Sequence, residues 1–170
     1  FDRCMIRLSR GGKDASVYRE FDIPSKSFVK DGFALKEAKS AVGWIDKDTL
    51  FVGTDFGPGT TTESGYPRMV KKWSRGTDIS QAKLVFEGEP IDMGIWPVVS
   101  LRPEGRHVFV YRSMTFFTSA LIHVADDGKQ TKLPLQPSAQ LKGVFHGQVL
   151  INLREAWTPI KGGQSYAVGT

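Results

Sequence analysis

Short apolar runs that alternate with polar residues recur along almost the whole chain. Val108 and Val110, for example, alternate with Phe109 and Tyr111. Alternation with a period of two over such short runs is typical of β-strands, and turn signals such as Asp127-Gly128 separate the runs. The pattern predicts an all-β chain, with strands at residues 4–8, 17–23, 49–54, 68–73, 84–87, 107–112, 120–124 and 148–153, and a single helical piece of one or two turns at 35–40.

One arrangement, an apolar strand followed by a polar turn and a second apolar strand, occurs three times. The turns are Ile45-Asp-Lys-Asp48, Arg102-Pro-Glu-Gly-Arg106 and Phe145-His-Gly147. The first two repeats continue into a further hairpin, formed by 68–73 with 83–87 and by 120–124 with 131–135. The repeats follow one another at intervals of about 40 to 58 residues, close to the length of a propeller blade. The sequence therefore predicts a partial β-propeller of about three to three and a half four-stranded antiparallel blades.

The predicted organisation is one fragment of a propeller domain over residues 1–170. Within it we expect the end of a blade at 1–40, whole blades at 41–90 and 91–138, and an incomplete blade at 139–170. The chain opens without an initiator Met or a signal peptide, so we expect it to be part of a longer protein. A propeller closes its ring with about 4 to 8 blades, so these residues would form an arc of that ring.

Composition and charge exclude several classes of function. The 170 residues include a lone cysteine, Cys4, which excludes an internal disulfide framework and a cysteine zinc site. No apolar stretch approaches the ~20 residues of a membrane span, so no membrane association is expected. The net charge is +5, but the cations are interleaved with carboxylates, as in Arg19-Glu20, which favours solvated strand faces over a nucleic-acid site. Even the densest cluster, Lys71-Lys72 with Arg68 and Arg75, is interpreted in this way.

No catalytic, cofactor-binding or metal-binding residue is predicted. A nucleophile elbow requires Gly-x-Ser-x-Gly, and the nearest stretch, Gly163-Gln-Ser165-Tyr-Ala167, has Ala in place of the last Gly. We expect a third strand of the last unit there, with Ser165 and Ala167 on one face and Tyr166 and Val168 on the other. The three imidazoles are dispersed and lack the partners of a triad or a metal site; they are His107, His123 and His146.

The most irregular stretch is the insertion at residues 54–67, which lacks the Lys and the following helix of a phosphate-binding loop. Two interpretations remain open: a loop at the blade rim that contacts a neighbouring domain or substrate, or a solvent-exposed insertion. In either case we expect Phe56 and Tyr66 to anchor it. The four tryptophans, Trp44, Trp73, Trp96 and Trp157, are expected to pack between blades. Arg68 and Arg102 could reach a substrate carboxylate, but nothing in their spacing assigns them this role.

Five collinear stretches resemble the propeller of bacterial prolyl oligopeptidase-family serine peptidases. They are 8–22 (LSRGGKDASVYREFD), 44–59 (WIDKDTLFVGTDFGPG), 64–68 (SGYPR), 73–77 (WSRGT) and 85–88 (VFEG), and the resemblance covers about residues 1–155. It implies a seven-bladed propeller attached to an α/β-hydrolase domain whose Ser-Asp-His triad cleaves short peptides after proline. The propeller of such an enzyme covers the active site and excludes large folded substrates. This chain would supply blades and no triad residue. The sequence does not identify the compartment, which for a bacterial enzyme would be the cytoplasm or the periplasm.

Two functions other than the gating of short peptides also remain open. A stand-alone propeller could bind proteins without any hydrolase domain. A lipocalin-like barrel for small ligands would use Gly94-Ile-Trp96, although that motif belongs at a first strand and lies here past the midpoint. Whichever function holds, we expect the isolated arc to self-associate, because incomplete blade packing exposes apolar surface and strand edges.

Overall fold

The computed structural model describes residues 2–159 and 165–168, and strands dominate this part of the chain. Period-two runs of apolar residues form the strands, and glycines with positive φ, such as Gly76 (φ 74°) and Gly128 (φ 85°), lie in the turns between them. The strands are β1 (Arg3–Leu8), β2 (Ser16–Asp22), β3 (Ser27–Phe28), β4 (Ala34–Ala38), β5 (Ala41–Asp46), β6 (Thr49–Gly53), β7 (Met69–Ser74), β8 (Lys83–Glu87), β9 (Gly94–Arg102), β10 (Gly105–Ser113), β11 (Ser119–Val124), β12 (Gln130–Lys132), β13 (Gln140–Phe145) and β14 (Gln148–Asn152).

These strands form four antiparallel sheets that follow one another along the chain. In the first sheet β2 pairs with β1 on one side and with both β3 and β4 on the other. The second sheet has the order β5-β6-β7-β8, the third has the order β9-β10-β11-β12, and the fourth consists of β13 and β14. Four-stranded meanders such as the second and third sheets are the repeating unit of a propeller.

Each pair of neighbouring sheets encloses an apolar layer. Alternate residues of β6 face opposite neighbours: Leu50 and Val52 pack toward the first sheet with Tyr18, whereas Phe51 packs toward the third sheet with Ile95. A third layer lies between the last two sheets and contains Phe109, Leu121 and Val144. We call the three contact zones the first, second and third joints, in chain order.

The helical piece predicted at residues 35–40 is wrong, because this segment contains strand β4. Leu35 pairs with Tyr18 of β2 and is 3% exposed, packed within the layer of the first joint. Ala, Leu, Lys and Glu favour helices in isolation, but pairing with β2 and the burial of Leu35 outweigh that preference. The second hairpin of the third sheet is also shifted, since β12 covers Gln130–Lys132 rather than 131–135.

The all-β partial propeller predicted from the sequence is confirmed. Within residues 2–159 and 165–168 the strands form separate stacked sheets and no closed barrel, so the lipocalin-like alternative is wrong. No helix in the same residues is long and apolar enough to cross a bilayer. The expected third strand of the last unit is reduced to one bridge between Trp157 and Tyr166, and Gly163 and Gln164 lie outside the described residues.

Candidate functional site

One end of the stack carries the longest connection, the β6–β7 loop, and we call this end the loop face. It consists of the β1–β2 turn (9–15), the β6–β7 loop (54–67), the β8–β9 turn (88–93) and the β10–β11 loop (114–118). Strand register places these connections at the same end, because Gly53 pairs with Val70 and Gly94 pairs with Ser113. The opposite end, which we call the hairpin face, carries the short β5–β6, β9–β10 and β13–β14 turns and the β7–β8 connection (75–82).

Contacts with three sheets anchor the 54–67 loop on the loop face. The Glu63 amide donates to the Pro90 carbonyl at 2.9 Å, in the turn that leads into the third sheet. Arg68 Nε donates to the Gly59 carbonyl at 3.0 Å, and the same guanidinium pairs with Glu87. These contacts connect the loop to neighbouring sheets, with Arg68 as one of its anchors, although residues 55, 58, 59 and 63–65 are exposed. Contact of the loop with another domain or with substrate stays a prediction.

Tyr66 joins this loop to the first and third sheets, as the sequence led us to expect for an anchor. Its hydroxyl donates to Asp14 Oδ2 at 2.8 Å, and its ring meets Trp96 edge-on with centroids 5.4 Å apart. Lys39 Nζ lies 3.9 Å from the centre of the Tyr66 ring and donates to the Ser64 carbonyl at 3.0 Å. The hydrogen bond to Asp14, with burial and the carboxylate charge adding to it, raises the pKa of Tyr66. Tyr66 thus remains a neutral donor at neutral pH.

Phe56, the other predicted anchor, packs at the edge of the first joint. Lys71 Nζ lies 4.3 Å from the centre of its ring, a cation–π contact. Both ends of the loop are therefore fixed by an aromatic side chain, and the prediction of these two anchors is confirmed.

Three large apolar side chains point into solvent from the loop face. Phe116 is 82% exposed, Phe117 is 75% exposed and Ile91 is 76% exposed. Their two connections are neighbours, since the Met93 amide donates to the Ser113 carbonyl at 2.8 Å. We call these three residues the apolar patch. Adjacent exposed apolar groups are uncommon on soluble proteins and indicate an interaction surface.

Hydrogen bonds hold the two connections that carry the apolar patch. In the 114–118 loop the Met114 amide donates to the Thr118 carbonyl at 3.0 Å. In the 88–93 turn, Asp92 is buried and accepts from the Glu89 amide at 2.7 Å and from Arg112 Nε at 2.9 Å. Hydrogen bonds therefore fix the backbone of both connections that carry the apolar patch. The sequence analysis missed these residues, although two adjacent phenylalanines between strands 107–112 and 120–124 could have indicated a surface feature.

A buried ion cluster fixes the first joint on the other side of the molecule. Glu20, whose side chain is 0% exposed, accepts from Arg75 Nη1 at 2.8 Å and Nη2 at 2.9 Å, from Arg3 Nη1 at 3.0 Å and from the Phe33 amide at 2.9 Å. Arg75 also donates to Asp48 Oδ1 at 2.9 Å. The interpretation of Arg19-Glu20 as a solvated strand face is therefore wrong for Glu20, because Glu20 shares the inward face of β2 with Tyr18.

The hydrogen bonds of this cluster determine the charge state of Glu20. Burial alone raises the pKa of a carboxyl group, but the hydrogen bonds from Arg75, Phe33 and Arg3 outweigh burial and hold the pKa of Glu20 below its usual value. Glu20 and Arg75 therefore form a charged pair across the joint. A cavity of about 540 Å³ opens beside them, lined by Asp2, Arg3, Trp44, Asp46, Lys47, Asp48, Arg75 and Leu101.

The structure does not bring the candidate residues of the sequence analysis into one site. His107 lies on β10, His123 lies on β11 with its ring 5.4 Å from Phe109, and His146 lies in the β13–β14 turn. Arg102 is exposed at the hairpin face, away from Arg68. Among residues 2–159 and 165–168 no three His, Cys, Asp or Glu side chains are grouped as metal ligands.

Two of the four tryptophans pack between sheets as expected. Trp44 and Trp73 enclose Phe33 in the first joint, with ring centroids 5.7 Å and 4.8 Å from it. Trp96 lies instead at the loop face against Tyr66, and Trp157 is paired with Tyr166 beyond the fourth sheet.

The antiparallel sheets, packed one after another in chain order, define a segment of a β-propeller. The sequence profile described as the prolyl oligopeptidase N-terminal beta-propeller domain matches residues 2–158. The chain therefore belongs to the prolyl oligopeptidase family, as part of its N-terminal propeller, and the resemblance noted in the sequence is confirmed.

Two curated peptidases are similar to this chain in sequence. The chain is 39% identical over 164 residues to an uncharacterized peptidase of Sinorhizobium fredii, covering 94% of the chain and 23% of that protein. It is 30% identical over 169 residues to an uncharacterized peptidase of Rickettsia prowazekii, covering 92% of the chain and 23% of that protein. The chain thus spans about a quarter of the length of these curated relatives.

Solved structures share the fold. A post-proline cleaving enzyme from Rickettsia typhi superposes with a TM-score of 0.85 at 28% identity, over 95% of the chain and 25% of that enzyme. One structure from a study of two prolyl endopeptidases superposes with a TM-score of 0.67 at 15% identity, over 88% of the chain and 23% of that protein. The second likeness shows the fold alone.

Proposed function

We propose that this propeller segment gates a serine peptidase, with its loop face docked against an α/β-hydrolase domain of the same protein. The observation that carries the proposal is the apolar patch, Ile91, Phe116 and Phe117, which hydrogen-bonded connections hold exposed on the loop face. Exposed apolar patches on soluble proteins mark interaction surfaces. A hydrolase domain is the partner expected for a propeller of this family.

The proposed mechanism is steric. The packed joints make the arc a wall, so a substrate reaches the hydrolase only through openings that the propeller leaves. Small, extended peptides would pass, whereas folded proteins would not. The rigid 54–67 loop supports this role, because its anchors on three sheets keep the loop face in one shape.

The test uses the full-length protein and the double variant Phe116→Ser/Phe117→Ser. Burial of one Phe stabilises a contact by about 1.5–3 kcal/mol, so we expect docking to weaken by at least ~10-fold. The undocked enzyme should lose kcat/KM on a short proline-containing chromogenic peptide and should begin to cleave an unfolded protein that the original enzyme leaves intact.

The matched control is Leu84→Ser, which removes an exposed apolar side chain from β8, outside the loop face. Leu84→Ser should change neither the cleavage of the short peptide nor the resistance of the unfolded protein to cleavage. If the double variant behaves like Leu84→Ser, the loop face is not the docking surface and the proposed docking is wrong.

A further inference from the structure

The β1–β2 turn on the loop face carries two cations that have no carboxylate partner. Arg10 and Lys13 are both exposed, and neither forms an ion pair with a residue that the structure describes. The single carboxylate of the turn, Asp14, already accepts from the Tyr66 hydroxyl at 2.8 Å. We call Arg10 and Lys13 the basic pair.

The turn that carries the basic pair is fixed to the rest of the loop face. Ser9 Oγ donates to the Lys13 carbonyl at 2.6 Å, which closes the turn on itself. The hydrogen bond between Asp14 and Tyr66 connects the turn to the 54–67 loop, and the Tyr66 ring meets Trp96 of the third sheet. The basic pair and the apolar patch therefore lie on one connected surface.

Carboxylates occupy a different part of the loop face, next to the apolar patch. Glu63 and Glu89 are exposed, and within the described part of the chain neither has an ion-pair partner. Their backbones are neighbours, because the Glu63 amide donates to the carbonyl of Pro90, which lies between Glu89 and Ile91. The loop face thus has cations at the first sheet and carboxylates at the turn into the third sheet.

A domain that covers the loop face has to accommodate this separation of charges. A cation covered by an apolar or basic surface loses its hydration without compensation, whereas a carboxylate on the covering surface offsets that loss. Complementary charges also steer two surfaces together and favour one orientation over the others. Because the cations and the carboxylates lie at different sheets, a partner that matches both fits the loop face in one orientation.

We propose that the basic pair binds carboxylates of the hydrolase domain and sets the orientation in which that domain docks. This inference rests on the docking proposed above, in which the apolar patch supplies most of the affinity. Exposed ion pairs are weak and are screened by salt, whereas apolar contact does not depend on charge. The contributions of the basic pair and the apolar patch therefore differ in their response to salt.

The test reverses the charge of the basic pair in the full-length protein, as Arg10→Glu/Lys13→Glu. Cleavage of an unfolded protein reports undocking, as it does for the apolar patch. At low sodium chloride concentration we expect this cleavage to rise roughly 3- to 10-fold, because two exposed ion pairs are lost. At about 1 M, where the Debye length is about 3 Å, the charge-reversed protein and the original protein should cleave at equal rates.

Two control variants accompany the charge reversal. Lys83→Glu/Lys129→Glu makes the same change of charge at two exposed cations near the hairpin face, at the start of β8 and in the β11–β12 turn. It should leave the cleavage of the unfolded protein unchanged at both salt concentrations. Arg10→Lys/Lys13→Arg keeps the charge and should dock like the original protein. All these side chains are exposed, so the melting temperatures of the variants should agree.

The apolar-patch variant Phe116→Ser/Phe117→Ser separates this proposal from the docking itself, because it should undock the enzyme at low and at high salt. If it does so while Arg10→Glu/Lys13→Glu behaves like Lys83→Glu/Lys129→Glu, docking stands and the proposal for the basic pair is overturned. If neither the patch variant nor the charge reversal alters cleavage of the unfolded protein, both proposals are wrong. A charge reversal that changes only KM, and only for peptides with a free carboxyl terminus, would also overturn the proposal, because the basic pair would then bind substrate.

Discussion

Glu20 of the first sheet and Arg75 of the second share two parallel hydrogen bonds of 2.8 and 2.9 Å across the first joint. Arg75 reaches Glu20 from the turn after β7, with its guanidinium 4.6 Å from the centre of the Phe33 ring. Gly32 makes room for the carboxylate, since a Cβ there would lie 2.8 Å from Glu20 Oε2. The Glu20–Arg75 ion pair thus connects the first sheet to the second.

We predict that replacement of Glu20 strongly destabilises the protein. In Glu20→Leu, Arg75 and Arg3 lose their hydrogen bonds to the buried carboxylate, and hydrogen bonds to a charged group are worth about 1.5–3 kcal/mol. Arg75 keeps Asp48 as a partner and Arg3 is partly exposed, so we expect a loss of this size. The measurement is the free energy of unfolding from urea titration. Lys47→Met is the control, because Lys47 and Asp48 form an exposed pair worth at most ~1 kcal/mol. Equal losses of unfolding free energy in Glu20→Leu and Lys47→Met would contradict a stabilising role for the Glu20–Arg75 pair.

Stability should also depend on the ionisation of Glu20. Because the folded-state pKa of Glu20 is lowered, its contribution is fully present above the unfolded-state value of about 4.3 and disappears as pH falls through the folded-state pKa. We expect the difference in unfolding free energy between the original protein and Glu20→Gln to shrink when the urea titration is repeated from pH 6 down to pH 3. A difference that stays constant over this range would show that Glu20 is not charged in the folded protein.

Gly43 of β5 lies too close to the third sheet to accept a methyl group. A Cβ added at Gly43 would lie 2.6 Å from Val99 Cγ2, so Gly43→Ala should cost about 1–3 kcal/mol of unfolding free energy. Val99→Ala should rescue Gly43→Ala, and a double variant whose loss equals the sum of the single losses would contradict the close contact.

The isolated 170-residue chain should self-associate. Among the described strands, β1 pairs only with β2, and β13 pairs only with β14, so each leaves one edge of backbone donors and acceptors unpaired. We expect light scattering after size exclusion to give a mass above 18.9 kDa that rises with concentration. A monomer at high concentration would contradict this prediction.

The repeat of strands could be predicted from the sequence because it depends on local alternation. Val108 and Val110 face one neighbouring sheet and Phe109 the other, and a period of two already shows this division. Strand β4 could not be predicted in the same way, since the residues around Leu35 favour a helix until β2 pairs with them. The blade boundaries given for residues 1–40, 41–90, 91–138 and 139–170 stay a prediction.

The site was harder to predict than the fold. Glu20 follows Arg19 in sequence and resembles any surface charge, and only the approach of Arg75, 55 residues later, gives it a buried partner. Tyr66 could be identified as an anchor because an aromatic residue in a Gly-rich loop needs a place to pack. Its partners, Asp14 and Trp96, come from other sheets and follow only from the packing of those sheets.

The central claim is that this propeller segment serves a serine peptidase, and one assay tests it most directly. The full-length protein is given a short proline-containing chromogenic peptide, before and after replacement of the serine in any Gly-x-Ser-x-Gly elbow it carries. The account predicts cleavage after proline that this replacement abolishes. A full-length protein without such a serine, or without proline-dependent cleavage, would contradict the account and leave a propeller that acts only by binding.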